Sequence, residues 1–142
     1  MMRTEFWILD TNILLRALMN ENSVPGLALK RARETGTLLV SEEIASEYFD
    51  VFSRPKFERY VSLETRLAFI ENIISNSLSI EPKERILACR DPKDNMFLEL
   101  GVTAGASCII SGDQDLLVLH PFRTIPIISP GDFLNLFNFP RQ

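Results

Sequence analysis

Soft metal ligands are scarce in this chain, whose 142 residues hold one histidine and two cysteines. A multi-histidine zinc site cannot be assembled from them, and Cys89 and Cys108 lack the CxxC spacing that would make up the count. Two cysteines do not make a disulfide scaffold either. Cys108 opens an apolar run and reads as a small buried hydrophobe, so redox chemistry is not expected. His120 lies in Leu119-His120-Pro121-Phe122, a turn-like context with no nucleophile elbow nearby, which argues against a Ser-His-Asp arrangement. Long apolar runs are missing as well: Ile125–Ile128 already contains Pro126, and nothing approaches the roughly 20 residues of a membrane span. No apolar stretch of signal-peptide length follows Met1-Met2-Arg3-Thr4-Glu5, so a cytoplasmic protein without a membrane contact is expected. There is no GxGxxG after the first strand and no GxxxxGK[ST], which removes dinucleotide and P-loop chemistry. An aspartyl-phosphate mechanism of the haloacid-dehalogenase type wants an acid two residues after Asp10, where Asn12 stands.

What remains is an ordinary globular mix, 46% hydrophobic and 24% charged, in a length that suits one domain over residues 1–142. The net charge of −4 lacks the basic footprint of most nucleic-acid binders. Whole-chain charge describes solubility better than a site, however, and acids gathered on divalent cations are partly neutralised. Turn signals fall at short intervals. Strands are predicted at Glu5–Leu9, Thr37–Val40, Leu78–Ile80, Ser107–Ile110 and Ile125–Ile128. Between them come helices over Thr11–Met19, from Pro25 to Thr35 before Gly36, and from a Ser41 cap to about Phe52. Others follow a Ser62 cap, run from an Asp91 cap with Pro92 at N1 to about Ala104 (Gly101 and Gly105 bracketing its end), and span Asp113–Leu119. A terminal helix begins at Ser129-Pro130 and carries Phe133. Strands alternating with helices imply an α/β fold, a central parallel sheet covered by helices on both faces.

Ligands of open α/β sheets sit at the carboxyl ends of the strands. Asp10 follows the first predicted strand and Asp113 follows the Cys108–Ser111 segment. Each alone is explained as an N-cap; the pair, at the exits of two candidate central strands, points to a shared site. On the helix predicted from Pro92, Asp94 shares a face with Phe97, Leu98, Gly101 and Val102, so its carboxylate is expected on the packing side. Unpaired buried acids are costly and are usually paired or metal-bound. A capping-box role behind the Asp91 cap is the simpler alternative. Glu47 falls at the rim of the apolar arc formed by Ile44, Tyr48, Val51 and Phe52, whereas Glu42, Glu43 and Asp50 point outward. Four carboxylates without histidine or cysteine define a hard oxygen site suited to Mg²⁺ or Mn²⁺, and phosphodiester hydrolysis is the natural reaction.

Four segments in order carry a family resemblance. They are Asp10-Thr11-Asn12; Ser46-Glu47-Tyr48 with Ser53-Arg54-Pro55-Lys56-Phe57; Asp91-Pro92-Lys93-Asp94-Asn95-Met96-Phe97-Leu98-Glu99-Leu100; and Ser111-Gly112-Asp113-Gln114-Asp115-Leu116-Leu117. Together they span nearly the whole chain, which resembles the PIN-domain proteins, specifically the toxin type of toxin–antitoxin modules (VapC-like ribonucleases). The resemblance implies a metal-dependent endoribonuclease with Asp10, Glu47, Asp94 and Asp113 as its acidic centre. Asp10, Asp94 and Asp113 are then the principal metal ligands, and Asn12, Ser111 and Asp115 support them by hydrogen bonding or from the outer shell. It further implies attack on phosphorus by a metal-activated water, leaving a 5′-phosphate and a 3′-hydroxyl, together with a homodimer and a small inhibitory antitoxin protein. Ser111 stands where that family often has Thr, Gly101 where Ala is usual and Gln114 where Lys is frequent; none of these touches the four acids.

Arg54, Lys56 and Arg59 form a basic cluster after the Glu47 helix and are candidate RNA contacts, with a solvated charge run as the alternative. Phe57 and Tyr60 among them could stack on bases or pack in the core. Phe133–Phe139 is expected in the core with some interface, and Lys30, Arg31 and Arg33 on a wet helix face. Two other functions stay open. A non-catalytic PIN-like module would hold RNA or a protein without cutting, and a small-molecule phosphatase would need a closed pocket rather than an open cleft.

Overall fold

Helix starts in this chain are written in single polar residues, and the computed structural model, which describes residues 4–137, shows them in use. The strands are β1 (Phe6–Leu9), β2 (Thr37–Val40), β3 (Leu78–Ser79), β4 (Cys108–Ile110) and β5 (Ile127–Ile128). The helices are α1 (Thr11–Met19), α2 (Val24–Thr35), α3 (Glu42–Phe52), α4 (Leu63–Ser75), α5 (Asn95–Ala104), α6 (Gln114–Leu117) and α7 (Pro130–Asn135), with 3₁₀ turns at Pro55–Phe57 and Pro92–Asp94. Side chains of Asp10, Ser23, Ser41, Ser62, Asp113 and Ser129 each accept a backbone N–H from the first turn of the helix that follows. Met1–Arg3 and Phe139 lie outside the described residues.

All five strands are parallel, in the order β3-β2-β1-β4-β5. Successive residues of a strand face opposite sides of the sheet, yet Trp7, Ile8 and Leu9 are all buried, as are Cys108, Ile109 and Ile110. Both faces are therefore covered. Trp7 meets Phe133 of α7 edge-on, with ring centroids 5.0 Å apart, and its indole N–H donates to Thr35 of α2. Ile8 and Ile109 on the opposite face approach α5 at Gly101. The order of strands reverses between β1 and β4, where one connection leaves to each side. Such a reversal opens a crevice at the carboxyl ends of those two strands.

Several expected boundaries move. Residues 92–104 do not form one helix: Pro92–Asp94 is a 3₁₀ turn, and α5 begins at Asn95. Asp94 is thus at a helix end rather than on a packing stripe, and its side chain makes no capping hydrogen bond. The face argument fails for a physical reason. Every residue from Asn95 to Gly101 is buried, so this stretch has no wet side to contrast with. Gly101 does not mark the helix end; it sits inside, where an added Cβ would lie 3.3 Å from the Ile109 methyl. Gly105 alone closes α5, in the left-handed conformation at φ 63°. The strand expected at Ile125–Ile128 starts at Ile127, because the Ile125 N–H is taken by Phe122 in a tight turn.

Candidate active site

The reversal point gathers acids by a chain of short-range contacts. The Asp10 N–H donates to the Ile110 carbonyl at 3.1 Å, tying the end of β1 to the end of β4. One carboxylate oxygen of Asp10 accepts from the Ile13 N–H at 3.1 Å as the cap of α1, and the other accepts from the Ser111 hydroxyl. The Ser111 oxygen in turn accepts the Asp113 N–H at 2.9 Å, and Asp113 accepts the Asp115 N–H at 2.9 Å. Capping and site-building are thus the same act for Asp10 and Asp113.

Asp94 arrives from the far side. Asp91 holds the turn by accepting the Lys93 N–H, and the Asn95 side-chain oxygen accepts the N–H groups of Ala88 and Cys89 at 3.0 and 2.9 Å. These contacts deliver Asp94 to Asp113 and Asp115, and one oxygen from each of the three lies within 4.8 Å of the others. All three are half-buried, whereas Asp10 behind them is only 5% exposed.

Electrostatics reflect the crowding. Burial pushes the Asp94 carboxyl up to about 7, with further pressure from its contact with Asp113 and from the charges of Asp113, Asp91 and Asp10. Asp10 is also raised by burial, against the opposing hydrogen bonds from Ser111 and Ile13. Acids of like charge held this close at neutral pH favour either protons or a cation between them.

Glu47 is on α3 at the rim, half-buried as the helical arc requires, and is not one of the three grouped acids. Burial raises its carboxyl while Lys93 and Arg54 pull it down. It lines a cleft of about 580 Å³ together with Ser46, Asp50, Arg85, Lys93 and Glu99. Its neighbour Tyr48 is buried and donates its hydroxyl to the Leu9 carbonyl at 2.6 Å, which binds α3 to the residue before Asp10. Burial, then the charges of Asp10 and Glu47, raise the Tyr48 hydroxyl.

Asn12 is exposed on α1, outside the grouped acids. Arg54 is half-buried and pairs with Asp50 at 3.2 Å; Lys56 and Arg59 are exposed over the rings of Phe57 and Tyr60. Four residues that hold the surrounding backbone had no local signal. Asn95 and Tyr48 look like ordinary helix residues, although both act on distant backbone. Glu99 is 4% exposed and accepts the Ile86 N–H at 2.9 Å, a partner 13 positions away. Arg66 is 1% exposed, and its guanidinium donates to the carbonyls of Phe52, Arg54 and Val61 and to Glu58. His120 is exposed and accepts the Ile127 N–H, and Cys108 is buried in β4, so neither approaches catalysis. No helix among the described residues is long and apolar enough to cross a membrane.

Known proteins resemble this chain in sequence and in fold. An uncharacterized protein of Methanocaldococcus jannaschii, MJ1680, is 33% identical over 115 residues, covering 80% of this chain and 74% of its own. VapBC2 from Rickettsia felis, solved bound to a DNA fragment from its promoter, superposes with a TM-score of 0.61 at 11% identity over 87% of this chain and 98% of the other. VapC20 of Mycobacterium tuberculosis, a sarcin-ricin loop cleaving toxin, gives 0.53 at 13% identity over 84% and 98%. These two likenesses are of fold. Residues 7–115 match the PIN domain, from the tryptophan of β1 to the last of the grouped aspartates, and the chain belongs to the PIN-domain family.

Proposed function

We propose that residues 1–142 act as one divalent-metal-dependent endoribonuclease, the toxin of a toxin–antitoxin pair. The observation that carries this reading is the meeting of Asp94, Asp113 and Asp115 within 4.8 Å at the carboxyl mouth of the sheet, with Asp10 behind them. The donor set fits Mg²⁺ or Mn²⁺: it is all carboxylate oxygen, half-open to solvent, and among the described residues no lysine or arginine pairs with it more closely than Arg90, 4.0 Å from Asp115. Asp94 and Asp113 would hold the ion, with Asp115 in reach beside them and Asp10 behind as the third expected ligand. When bound, the ion polarises a phosphodiester and lowers the pKa of a coordinated water.

The chain's own residues do the rest. Ser111 fixes the Asp10 carboxylate and the Asp113 backbone with one oxygen, so both acids face the crevice without reorganising. Glu47, its carboxyl raised by burial and pulled down again by Lys93 and Arg54, would orient or deprotonate the attacking water. Asn12, exposed on α1, borders Asp113 without a hydrogen bond to the acids. Arg54, Lys56 and Arg59 offer phosphate contacts along the chain of a polymer, and the open cleft beside Glu47 suits a strand better than a small phosphomonoester.

Membership of the PIN-domain family and the fold shared with a toxin that cleaves the sarcin-ricin loop support RNA as the substrate. The likeness to VapBC2 supports a small antitoxin partner, and a homodimer is the expected assembly. Cleavage of a mixed pool of structured and single-stranded RNA in Mg²⁺, Mn²⁺ or EDTA tests the reading. Asp94→Asn and Asp10→Asn are expected to fold and to lose cleavage by about a hundredfold or more, since even outer partners of a metal ligand cost 10–100-fold. Metal-dependent cutting retained in both variants overturns it.

A further inference from the structure

Beside Asp113, α1 and the Gly112 turn enclose a concavity of about 480 Å³ lined by Asn12, Ile13, Arg16, Gly112, Asp113 and Gln114. Asn12 and Arg16 are four residues apart on the exposed face of α1 and so stand one above the other. Among the described residues, neither the Asn12 nor the Gln114 side chain forms a hydrogen bond, and the Arg16 guanidinium has no partner. That sets Arg16 apart. Every other arginine among the described residues is engaged: Arg31, Arg54, Arg66, Arg85, Arg90 and Arg123 with carboxylates, Arg33 with Asn72, and Arg59 with the Tyr60 ring. Among the described residues of this acidic protein, the one uncommitted guanidinium stands beside the acidic crevice.

We infer that Arg16, with the amides of Asn12 and Gln114, forms a nucleotide subsite that takes an RNA backbone phosphate next to the one being cut. This deepens the nuclease reading and rests on it for the identity of the polymer. The chemistry is specific. A guanidinium offers a planar fork of donors that matches two phosphate oxygens. The two amides each present donors and an acceptor suited to a ribose hydroxyl or a base edge. Because the concavity contains Asp113, a phosphate held there places the adjoining phosphodiester toward the grouped acids. Arg16 is therefore a positioning residue, and the alternative role open to it is a purely structural one, a cation in the last turn of α1 that favours the helix dipole.

Steady-state cleavage of a single-stranded oligoribonucleotide by wild type, Arg16→Gln and Arg16→Lys separates these roles. Binding of the same RNA, uncut, is measured in the Asp94→Asn background with and without Arg16→Gln. Arg16→Gln is expected to raise KM and weaken binding on the order of tenfold at low salt, with kcat and melting temperature held. The slope of log affinity against log salt should fall by about 0.7, the share of one phosphate on a single strand. Arg16→Lys should recover the salt slope but only part of the affinity. Cleavage by wild type with KM, binding and salt slope unchanged in Arg16→Gln overturns the subsite and leaves the nuclease intact. RNA that is never cut but binds with an Arg16-dependent salt slope overturns the nuclease and keeps the subsite. A lowered melting temperature with unchanged KM assigns Arg16 to the helix alone, and absence of both cutting and binding overturns both readings.

Discussion

The Ser111 hydroxyl is one oxygen with two partners, both of them in the acidic crevice: it donates to Asp10 and accepts the Asp113 N–H. Ser111 is fully buried and Asp10 nearly so, so the Asp10 carboxylate has little access to water when the hydroxyl is lost. Ser111→Ala leaves the buried Asp10 carboxylate and the part-buried Asp113 N–H short of a bond each. The expected loss of stability is about 1–3 kcal/mol, read from denaturant unfolding, and cleavage should drop by roughly 10–100-fold while the fold persists. Unchanged stability and activity would show that Asp10 is held by the α1 cap alone. At this scale the sequence was informative where function coincides with local chemistry. Asp10 and Asp113 stand out because a strand ends and a helix must be capped at the same residue. Asp94 was found for a weaker reason, since its value comes from the turn that precedes α5 and not from a helical face. Glu99, Asn95 and Arg66 were illegible because each satisfies backbone groups far along the chain or across a loop, and no spacing rule encodes that partnership. Arg16 was hidden differently: what marks it is the lack of a partner, which only the folded arrangement can reveal.

The connection between α3 and α4 shows how an element can depend on one side chain. Residues 53–61 form no more than a 3₁₀ turn, and they carry Arg54, Lys56 and Arg59 on an otherwise acidic protein. Arg66 reaches back from α4 and donates to Val61 at 3.0 Å, Phe52 at 2.8 Å, Arg54 at 2.9 Å and Glu58 at 2.6 Å. The shape of the basic loop is thus set from inside by an arginine that cannot itself touch RNA. Lysine is no substitute, because a single ammonium lacks the fork needed to span acceptors on four residues. Arg66→Lys is expected to cost about 2–3 kcal/mol, with the carbonyls of the loop left partly unpaired. Limited trypsin digestion should then cut faster after Lys56 or Arg59, while hydrolysis elsewhere keeps its wild-type rate. Equal digestion patterns would mean that the stacked Phe52 and Phe69 rings hold the connection without it. Elements were otherwise the most legible part of the sequence. Caps at Ser41, Ser62, Asp91 and Ser129 announce their own starts, whereas the ends of α5, β3 and β5 depend on packing and on which N–H is claimed by a neighbouring turn.

For the molecule as a whole, the acidic crevice ties stability to pH and to metal in a way that can be signed in advance. Asp10 and Asp94 both have carboxyls raised above their ordinary range, Asp94 to about 7. In the unfolded chain they release their protons near pH 4. Between that pH and about 7 the folded metal-free protein therefore binds more protons than the unfolded one, and stability falls as pH rises. The slope is shallower than a fully buried acid would give, because Asp94 is partly solvated. Thermal melts in EDTA from pH 5 to 8 should show the melting temperature decreasing across this window, and Asp94→Asn should flatten most of the decrease. A divalent cation reverses the argument, since it binds the ionised acids and not the protonated ones. Millimolar Mg²⁺ or Mn²⁺ should raise the melting temperature at pH 8, by mass action on the folded state, and do little at pH 5. In Asp94→Asn the shift at pH 8 should shrink sharply. A wild-type melting temperature that rises with pH in EDTA, or a metal shift as large at pH 5 as at pH 8, would mean that Asp94, Asp113 and Asp115 do not share one charge-crowded site in solution.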